Sequence, residues 1–418
     1  MIAADLVVTG IRELATLGTG PIPRVGPAMN ELGRVEDAAL AVSDERFAWV
    51  GPRRRLRREV RLRSRGRTVD LGGACVVPGF VDAHTHLLFA GDRSNELDQK
   101  VRGRSYGEIA AAGGGLYSTV RATRKASTAT LRDLGVGRLR RMLEGGTTVA
   151  EVKSGYDLTP AGELRLLRII PELARRSGVA TVPTFLGAHA VPPEYEGRPD
   201  AYVDALLRSA LPEVARRGLA RFCDVFCEPG FFSVEQSARL LRAAAALGLG
   251  VKVHADEFVA SGGARLAAEL GARSADHLLE CPSADRSALA RAGVTAVMLP
   301  ETPFASLAKS RSPGREMVDA GVPVALGSDL CPNSWVESMG IVLAHAVYSA
   351  RLTPAEAITA ATVNAAHAIG VAESAGQVVV GRPADFSAWE TSSLEGIPYR
   401  IGAFPTLVSR QGIIVSSR

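Results

Sequence analysis

Two histidines separated by one residue, His84 and His86, end an apolar stretch of the chain. That stretch, residues 75–83, reads Cys-Val-Val-Pro-Gly-Phe-Val-Asp-Ala. On an extended backbone, residues two apart point to the same side. Both imidazoles can therefore reach one metal ion from the end of a strand. A His-x-His pair is common in proteins, but here it closes a stretch of the type that is buried in a sheet.

Further side chains that can bind metal follow other apolar stretches. The chain has seven histidines, and the residues that end or follow a predicted strand are His84, His86, His189, His254, His277 and Asp329. His345 and His367 fall instead on predicted helices near the end of the chain. Titratable groups that converge in this way mark a functional site more often than a set of unrelated core residues.

The residue types suit a hydrolytic metal centre. Three neutral imidazoles and one carboxylate can hold Zn²⁺ or Fe²⁺ and leave a position for water, whose pKa then falls from about 15.7 towards about 7. We assign the metal ligands as His84, His86, His254 and Asp329. His277 can act as the general base for the water.

Two charged residues near the predicted strand ends have other roles to weigh. Glu257 lies three residues after His254 and can carry a proton to a leaving nitrogen. Lys153 ends the second strand. It can be a carbamylated bridge between two metals, but an ion pair explains a single rim lysine more simply.

The middle of the chain alternates strands and helices, as in a parallel sheet with crossover helices. The predicted strands are Cys75–His84, Thr147–Lys153, Ala180–Leu186, Arg221–Cys227, Gly250–Ala255, Ser274–His277, Thr295–Leu299 and Pro323–Gly327. This pattern predicts an α/β fold, a (β/α)8 TIM-like barrel that helices Glu337–Tyr348 and Pro354–Ile369 complete. Active-site residues of such barrels lie at the carboxyl ends of the strands.

Both ends of the chain have short alternating apolar segments instead. The clearest are Leu6–Val8, Ala38–Val42, Phe47–Val50, Gly376–Trp389 and Pro405–Val415. We predict that residues 1–74 and 373–418 form one composite β-sandwich domain and that residues 75–372 form the barrel.

Composition limits the remaining functions. The net charge is +5, and residues 53–67 form an arginine-rich segment that we call the arginine cluster. It contains no aromatic residue, so a solvated loop or strand edge explains it better than nucleic-acid binding. Five cysteines without a Cys-x-x-Cys pair, no signal peptide and no apolar run long enough to span a bilayer predict a cytoplasmic protein with no membrane partner.

The longer segments resemble the imidazolonepropionase family of the amidohydrolase superfamily. The matching segments are Pro78–Arg93, Arg104–Ile109, Gly113–Arg124, Glu151–Tyr156, Phe185–His189 and Ser274–Leu278. The resemblance implies hydrolysis of the cyclic C–N bond of 4-imidazolone-5-propanoate, which gives N-formimidoyl-L-glutamate in histidine degradation. It also implies one zinc or iron ion per subunit and a homodimer.

Further site residues follow from this resemblance. Arg93, seven residues after His86, is placed to grip the propionate carboxylate, because a guanidinium can bind a carboxylate through two hydrogen bonds. Tyr156, His189 and Glu257 are expected to contact the ring, and Ser334 matches a small hydroxyl position of the family. Glu257, His277 and Asp329 are the catalytic residues that the resemblance and the chemistry suggest together. The Gly113–Gly115 run is expected to be either a flexible cover or a simple turn.

Some residues depart from the family pattern. Cys331 and Asn333 occur where Asn and Gly are usual, and Asp157 occurs where Gly is frequent. A thiol does not replace an amide in kind, although Asn333 can supply a contact from two residues further on. Two other functions stay open: a deaminase of cytosine or guanine type, which would not need Arg93 for a carboxylate, and a non-catalytic metal-binding protein, against which the presence of Glu257 and His277 counts.

Overall fold

The computed structural model describes residues 1–104, 108–109 and 112–417. Part of one family-like segment, residues 105–107, therefore lies outside the described residues. The strands in the described chain are β1 (Ile2–Ala15), β2 (Arg34–Ser43), β3 (Arg46–Pro52), β4 (Val60–Pro78), β5 (Phe80–Asp82), β6 (Thr147–Lys153), β7 (Ala180–Ala188), β8 (Phe222–Cys227), β9 (Gly250–Ala255), β10 (Ser274–His277), β11 (Thr295–Met298), β12 (Val324–Leu326), β13 (Phe386–Trp389), β14 (Leu407–Arg410) and β15 (Ile413–Ser417).

Strands β5 to β12 form an eight-stranded parallel sheet in chain order. The two outer strands of this sheet meet, because the Ala83 N–H donates to the Leu326 carbonyl at 3.2 Å. Just beyond, the Asp329 N–H donates to the His84 carbonyl at 3.0 Å. The predicted (β/α)8 barrel is thereby confirmed, and its closure brings the ends of the first and eighth strands together.

Helices separate the barrel strands and cover them. Their bounds are Leu97–Val101, Gly115–Lys125, Thr128–Glu144, Pro160–Ser177, Pro199–Ala205, Leu211–Arg217, Val234–Ala246, Gly263–Glu269, Ser283–Ala292, Glu301–Ala305, Gly314–Asp319, Met339–Tyr348, Pro354–Ala360 and Val363–Ala368. Ser233 and Thr353 form capping boxes at two helix starts, as the Ser-x-x-Gln and Thr-x-x-Glu patterns indicate. The described chain also contains a π-helical turn, Leu206–Ala210, short helices at Arg53–Glu59 and Gly396–Tyr399, and 3-10 turns at Gly26–Asn30, Ser94–Glu96 and Pro193–Tyr195.

The terminal strands form a second, mixed sheet in the order β15-β14-β13-β4-β1-β2-β3. Strand β4 joins the two ends of the chain, since it pairs with β1 on one side and with β13 on the other. A core of its own lies on this sheet, with Leu6, Leu40, Val76 and Phe386 buried in it. The chain ends therefore meet in one β-rich unit, as predicted.

Three predicted segments need correction. Cys75–His84 is not one barrel strand: residues up to Pro78 belong to β4, and the barrel begins at Phe80. The break falls at Gly79, where a Cβ atom would lie 2.3 Å from the Thr148 hydroxyl, so only glycine permits this approach. Residues 376–380 form no strand. The arginine cluster is a short helix, Arg53–Glu59, followed by the start of β4. Its second half is a strand because β4 extends far enough to pair with the full length of β1.

Apolar side chains fill the amino-terminal end of the barrel, where Val81, Val149, Val297 and Ala365 pack together. The polar side chains are displaced to the opposite end. Among the described residues, no helix is both long and apolar enough to cross a membrane.

Candidate functional site

A cavity of about 390 Å³ opens at the carboxyl ends of the barrel strands. We call it the rim cavity. Its polar lining includes His86, Arg93, Lys100, Tyr156, His189, His254, Glu257, His277 and Asp329. Residues that the sequence places on six different strand ends or loops thus share one space.

Three imidazoles and one carboxylate converge at the base of the rim cavity. The Nε2 atom of His86 lies 3.1 Å from Nε2 of His84 and 3.2 Å from Nε2 of His254. Asp329 Oδ1 lies 3.6 Å from His84 Nε2 and 3.5 Å from His86 Nε2. The four residues proposed as metal ligands are therefore adjacent, and three of them form a group with the spacing of metal-binding side chains.

The contacts of the Nδ1 atoms show which ring nitrogens turn their lone pairs towards the centre of this group. His84 Nδ1 lies 2.6 Å from Asp276 Oδ2, and His254 Nδ1 lies 3.0 Å from Asp224 Oδ2. A carboxylate on Nδ1 keeps the proton there, which leaves Nε2 as an acceptor. Acceptor atoms about 3 Å apart repel one another unless a cation lies among them, so these residues fit a divalent metal ion.

Burial favours the neutral form of His84 and His86. It is the main cause that lowers the pKa of His84 and of His86 well below the ordinary value, and nearby Lys153 and His189 add to the effect. Metal ligation requires the neutral form of histidine. The buried position thus provides ligands without competition from protons.

Backbone geometry at the strand ends directs the ligands inward. Asp329 has a φ of 50° and His277 has a φ of 73°, a region that residues with a Cβ atom seldom adopt and that clusters at functional sites. A Cβ atom at Gly327 would lie 2.8 Å from the His84 Cβ. Glycine at this position therefore lets the last strand approach the first.

His277 and Glu257 form a pair beside the ligands. His277 Nε2 lies 3.6 Å from Glu257 Oε2. Burial lowers the pKa of His277 well below its ordinary value, whereas burial and the neighbouring Asp329 carboxylate raise the pKa of Glu257 well above its own. Shifts in opposite directions favour the uncharged form of both groups, as a base paired with an acid requires.

Two carboxylates that sequence analysis missed hold this pair and its neighbours in place. Glu228 accepts hydrogen bonds from the Glu257 and Val259 N–H groups at 3.1 and 2.9 Å. Glu163 accepts from the Gly155, Asp157 and Leu158 N–H groups at 2.6, 2.9 and 2.8 Å. The second set fixes the loop that carries Tyr156.

The ring-binding residues lie together over the ligands. His189 stacks on His86 with 4.8 Å between ring centroids, and Tyr156 lies 5.2 Å from His189. His189 Nδ1 lies 3.0 Å from the Gly155 carbonyl. Because that carbonyl accepts a hydrogen bond, Nδ1 carries the proton and Nε2 is an acceptor.

Arg93 lines the rim cavity and is held by a buried carboxylate. Glu96 Oε2 accepts from Arg93 Nε at 2.9 Å and from Nη2 at 2.7 Å, and Glu96 Oε1 accepts from the Gly115 N–H at 2.8 Å. Gly113–Gly115 is therefore the turn that starts helix Gly115–Lys125 and packs on Glu96. The signal for Glu96 was its place three residues after Arg93.

The segment after β12 differs from expectation in detail. Cys331 and Asn333 line the rim cavity, but Ser334 is not among the described residues that line it. Ser334 is fully buried and its N–H donates to Cys331 Sγ at 3.3 Å. Burial raises the pKa of Cys331, which keeps it a thiol. The substrate-binding role of Ser334 stays a prediction.

Beneath the ligands lies a group that we call the buried charge layer: Glu151, Lys153, Asp224, Lys252 and Asp276. Lys153 Nζ lies 2.6 Å from Asp224 and 2.9 Å from Glu151, and Lys252 Nζ lies 2.8 Å from Glu151. Burial alone would lower the pKa of Lys153, but the neighbouring carboxylates raise it. These contacts favour the ion-pair interpretation of Lys153 over a carbamylated bridge.

Sequence comparison groups the chain with known proteins. Residues 75–412 match the model of the Amidohydrolase family. A protein called imidazolonepropionase from Symbiobacterium thermophilum is 48% identical over 400 residues, which are 95% of this chain and 94% of that protein. Proteins of the same name from Bacillus velezensis and Bacteroides fragilis are 43% and 45% identical, with 98% and 95% of this chain covered and 98% and 95% of their own lengths matched.

Solved structures share the fold. An adenosine deaminase from Xanthomonas campestris with bound zinc has a TM-score of 0.71 and is 21% identical, with 100% of this chain and 94% of that chain covered. A triazine hydrolase variant also has a TM-score of 0.71, at 18% identity, with 99% and 94% covered. At identities this low, the likeness shows a shared fold alone.

Proposed function

The chain belongs to the imidazolonepropionase family of the amidohydrolases. We propose that the residues assigned above perform the reaction for which the family is named, the hydrolysis of 4-imidazolone-5-propanoate. The chain is a hydrolase of C–N bonds and acts in histidine degradation. Water adds to the ring carbonyl carbon of 4-imidazolone-5-propanoate, the bond from that carbon to the ring nitrogen breaks, and the product is N-formimidoyl-L-glutamate. The reaction needs a base for the water proton and an acid for the leaving nitrogen.

The proposed metal ligands are His84, His86, His254 and Asp329, and the proposed ion is zinc or iron. The convergence of three acceptor nitrogens and a carboxylate supports this assignment. A bound divalent ion there lowers the pKa of water towards neutrality and polarises a carbonyl oxygen. The donor set suits both metals.

The proposed proton carriers are His277, Asp329 and Glu257. His277 is neutral and can accept the proton of the attacking water, while the Asp329 carboxylate, held by the Thr302 hydroxyl at 2.7 Å, orients that water. Glu257 is the acid that contacts the ring nitrogen and protonates it as the C–N bond breaks. Its raised pKa supports this role, since burial and the neighbouring Asp329 carboxylate favour the protonated form that an acid needs.

The proposed substrate-binding residues surround the ring and its side chain. Tyr156, His189 and Glu257 contact the polar edge of the ring, and Arg93 binds the propionate carboxylate. The stacked arrangement of His189 on His86 supports a ring site directly above the ligands. We propose that Ser334, which contacts Cys331, contributes to substrate binding by positioning the loop after β12.

The single observation that carries the proposal is the pairing of His277 Nε2 with Glu257 Oε2, 3.6 Å apart, at the edge of the ligand group. The test offers 4-imidazolone-5-propanoate to the metal-loaded protein, follows its ultraviolet absorbance and identifies the product by mass spectrometry. We expect N-formimidoyl-L-glutamate and no ammonia. Ammonia release from a heterocyclic amine, with full turnover by Arg93→Ala, would indicate the deaminase alternative. Metal binding without any turnover would indicate a non-catalytic protein.

The remaining proposals concern partners and organisation. We propose a homodimer, to be measured by light scattering, and no nucleic-acid or membrane partner. Ion pairs within the arginine cluster support the former exclusion: Arg53 with Asp37, Arg55 with Glu59, and Arg63 with Asp5. A shift of labelled DNA or RNA by the protein that disappears on neutralising residues 53–67 would contradict it.

Location and domain bounds are also proposals. Five free, buried cysteines support a reducing, cytoplasmic location. Residues 1–74 with 373–418 are proposed as one folding unit and 75–372 as the other. Protection from limited proteolysis tests these bounds, and cleavage within either unit before cleavage between them would contradict them.

A further inference from the structure

A lysine that no catalytic step uses lines the rim cavity beside Arg93. Lys100 lies on helix Leu97–Val101, in the long connection between β5 and β6. Its Nζ atom donates to Asn333 Oδ1 at 2.7 Å and lies 3.5 Å from the Asn333 carbonyl. Within residues 1–104, 108–109 and 112–417, no carboxylate forms an ion pair with it.

Arg93, unlike Lys100, forms an ion pair with a carboxylate among the described residues. Glu96 neutralises the Arg93 guanidinium through two hydrogen bonds, and both residues are buried. An incoming carboxylate therefore meets a pair with no net charge at Arg93. Lys100 adds a second positive charge to the same cavity, and Glu96 acts on it only at a distance, so Arg93, Lys100 and Glu96 together carry a net positive charge.

A half-buried ammonium without a carboxylate is costly. Burial is the main cause that lowers the pKa of Lys100, and the nearby positive charge of Arg93 lowers it further. The fold tolerates this cost at a position that opens into the rim cavity. An anion bound there would relieve it, because each charge would gain a charge-assisted hydrogen bond.

We propose that Lys100 is a second carboxylate-binding residue, which holds the propionate group together with Arg93. The proposal rests on the proposed function, since it assigns a specificity-determining residue to the same site. Arg93 supplies direction through its planar fork, whereas Lys100 supplies the net charge. The enzyme therefore selects substrates that carry an anionic side chain over those with a neutral one.

Asn333 is the positioning residue for Lys100. Its Oδ1 accepts from Lys100, and its Nδ2 donates to the Ser306 hydroxyl at 3.1 Å. The amide thus links the loop after β12 to helix Leu97–Val101 across the mouth of the rim cavity. This contact explains how a chain with Cys331 in place of an amide still presents polar groups to the substrate side chain.

The test compares Lys100→Met with wild type for two ligands. Calorimetry measures binding of imidazole-4-propanoate and of 4-ethylimidazole, which lacks the carboxylate, and steady-state kinetics measure 4-imidazolone-5-propanoate. We expect Lys100→Met to weaken the anionic ligand and raise KM by about tenfold to a hundredfold, as for loss of a hydrogen bond to a charged group. Binding of 4-ethylimidazole and kcat change by less than about threefold.

Matched variants separate this role from a structural one. Arg102→Met removes a cation from the carboxyl end of the same helix, where Arg102 pairs with exposed Asp98, and should leave both ligands unaffected. Lys100→Arg retains the charge and should recover part of the binding, and Asn333→Ala should weaken the anionic ligand alone by a smaller factor.

Equal loss for the charged and neutral ligands, or no loss for either, would overturn the proposal. Selective loss for imidazole-4-propanoate in an enzyme that does not turn over the imidazolone would support Lys100 as an anion-binding residue while refuting the proposed function.

Discussion

The arginine cluster and the buried charge layer place similar charged groups in opposite environments. In the cluster, Arg55 and Arg58 are largely exposed and pair with Glu59. In the layer, Lys153 and Lys252 are buried and pair with three carboxylates, those of Glu151, Asp224 and Asp276. Water and salt screen the exposed charges, so the cluster contributes little to stability. Water and salt do not screen the buried charges of the layer, so each charge is stabilised by its neighbours.

The difference shows that density of charge in the sequence is a poor guide to function. The cluster is conspicuous in the sequence but pairs locally with Asp37, Asp5 and Glu59. The layer consists of single charged residues within apolar strands, yet two of its carboxylates contact the Nδ1 atoms of His84 and His254. Through these contacts the layer fixes which nitrogen of each histidine faces the proposed metal site.

The largest effect should follow from removing a ligand that the layer orients. His84→Ala is expected to abolish stoichiometric metal binding and to reduce turnover at least about a thousandfold, since a metal contributes several kcal/mol to stabilising the transition state. Metal content and turnover of the imidazolone measure this. His367→Ala, a histidine outside the site, serves as the control. Normal metal content and turnover in His84→Ala would refute the ligand assignment.

The next effect concerns stability. Lys153→Met leaves Asp224 and Glu151 buried with less compensating charge, and we expect the free energy of unfolding to fall by about 3–5 kcal/mol. Urea unfolding followed by circular dichroism measures the change. Arg63→Met in the arginine cluster should produce no change that this method resolves. If both variants unfold alike, the distinction between the two regions fails.

A smaller effect concerns metal affinity. Asp224→Asn removes the negative charge next to His254 Nδ1, and we expect affinity for the metal to fall about tenfold to a hundredfold. Competition with a chromophoric chelator gives the dissociation constant. Asp37→Asn makes the same substitution in a partner of the arginine cluster and should leave the affinity unchanged. Equal affinities in wild type and Asp224→Asn would show that the layer does not tune the ligands.

The smallest effect concerns pH and the cluster. Hydrogen bonds from Arg55 and then from Trp49 lower the pKa of Glu59 from 4.5 to about 2 in the folded chain. A depressed carboxyl pKa contributes stability that is present above the unfolded value and is lost as the pH falls through the folded value. The difference in unfolding free energy between wild type and Glu59→Gln should therefore shrink from about pH 5 downwards. Chemical unfolding at several pH values measures it, and a difference that grows on acidification would contradict the pairing.

Much of the barrel was predictable because its strands are short buried runs that alternate with helical segments. Strands β6, β9 and β10 begin and end at the predicted residues, and metal-type side chains follow several of these strands. The first strand was predicted too long, since an apolar run shows where a strand lies and not which sheet it joins. The close contact of Gly79 with Thr148 that separates β4 from β5 involves residues far apart in the chain.

Partners across the barrel were not predictable from spacing. Asp224, Lys252 and Asp276 each look like an isolated charge within a strand, and only the curvature of the barrel brings Glu151 and Lys153 of β6 within reach of them. The same reason explains Glu96 and Glu163, whose hydrogen bonds reach Gly115 and the Tyr156 loop. Residue types identified the ligand candidates, whereas the carboxylates that orient them required the three-dimensional structure.

We propose that the buried charge layer orients a single metal site and does not itself bind a metal ion. His84, Glu151 and Asp276 form a second group whose spacing suits a metal. The position of a bound ion therefore distinguishes the two groups. Anomalous scattering from crystals of the zinc-loaded protein measures it directly. We predict one peak per chain among His84, His86, His254 and Asp329. A peak between Glu151 and Asp276, or two peaks bridged by a modified Lys153, would contradict the account.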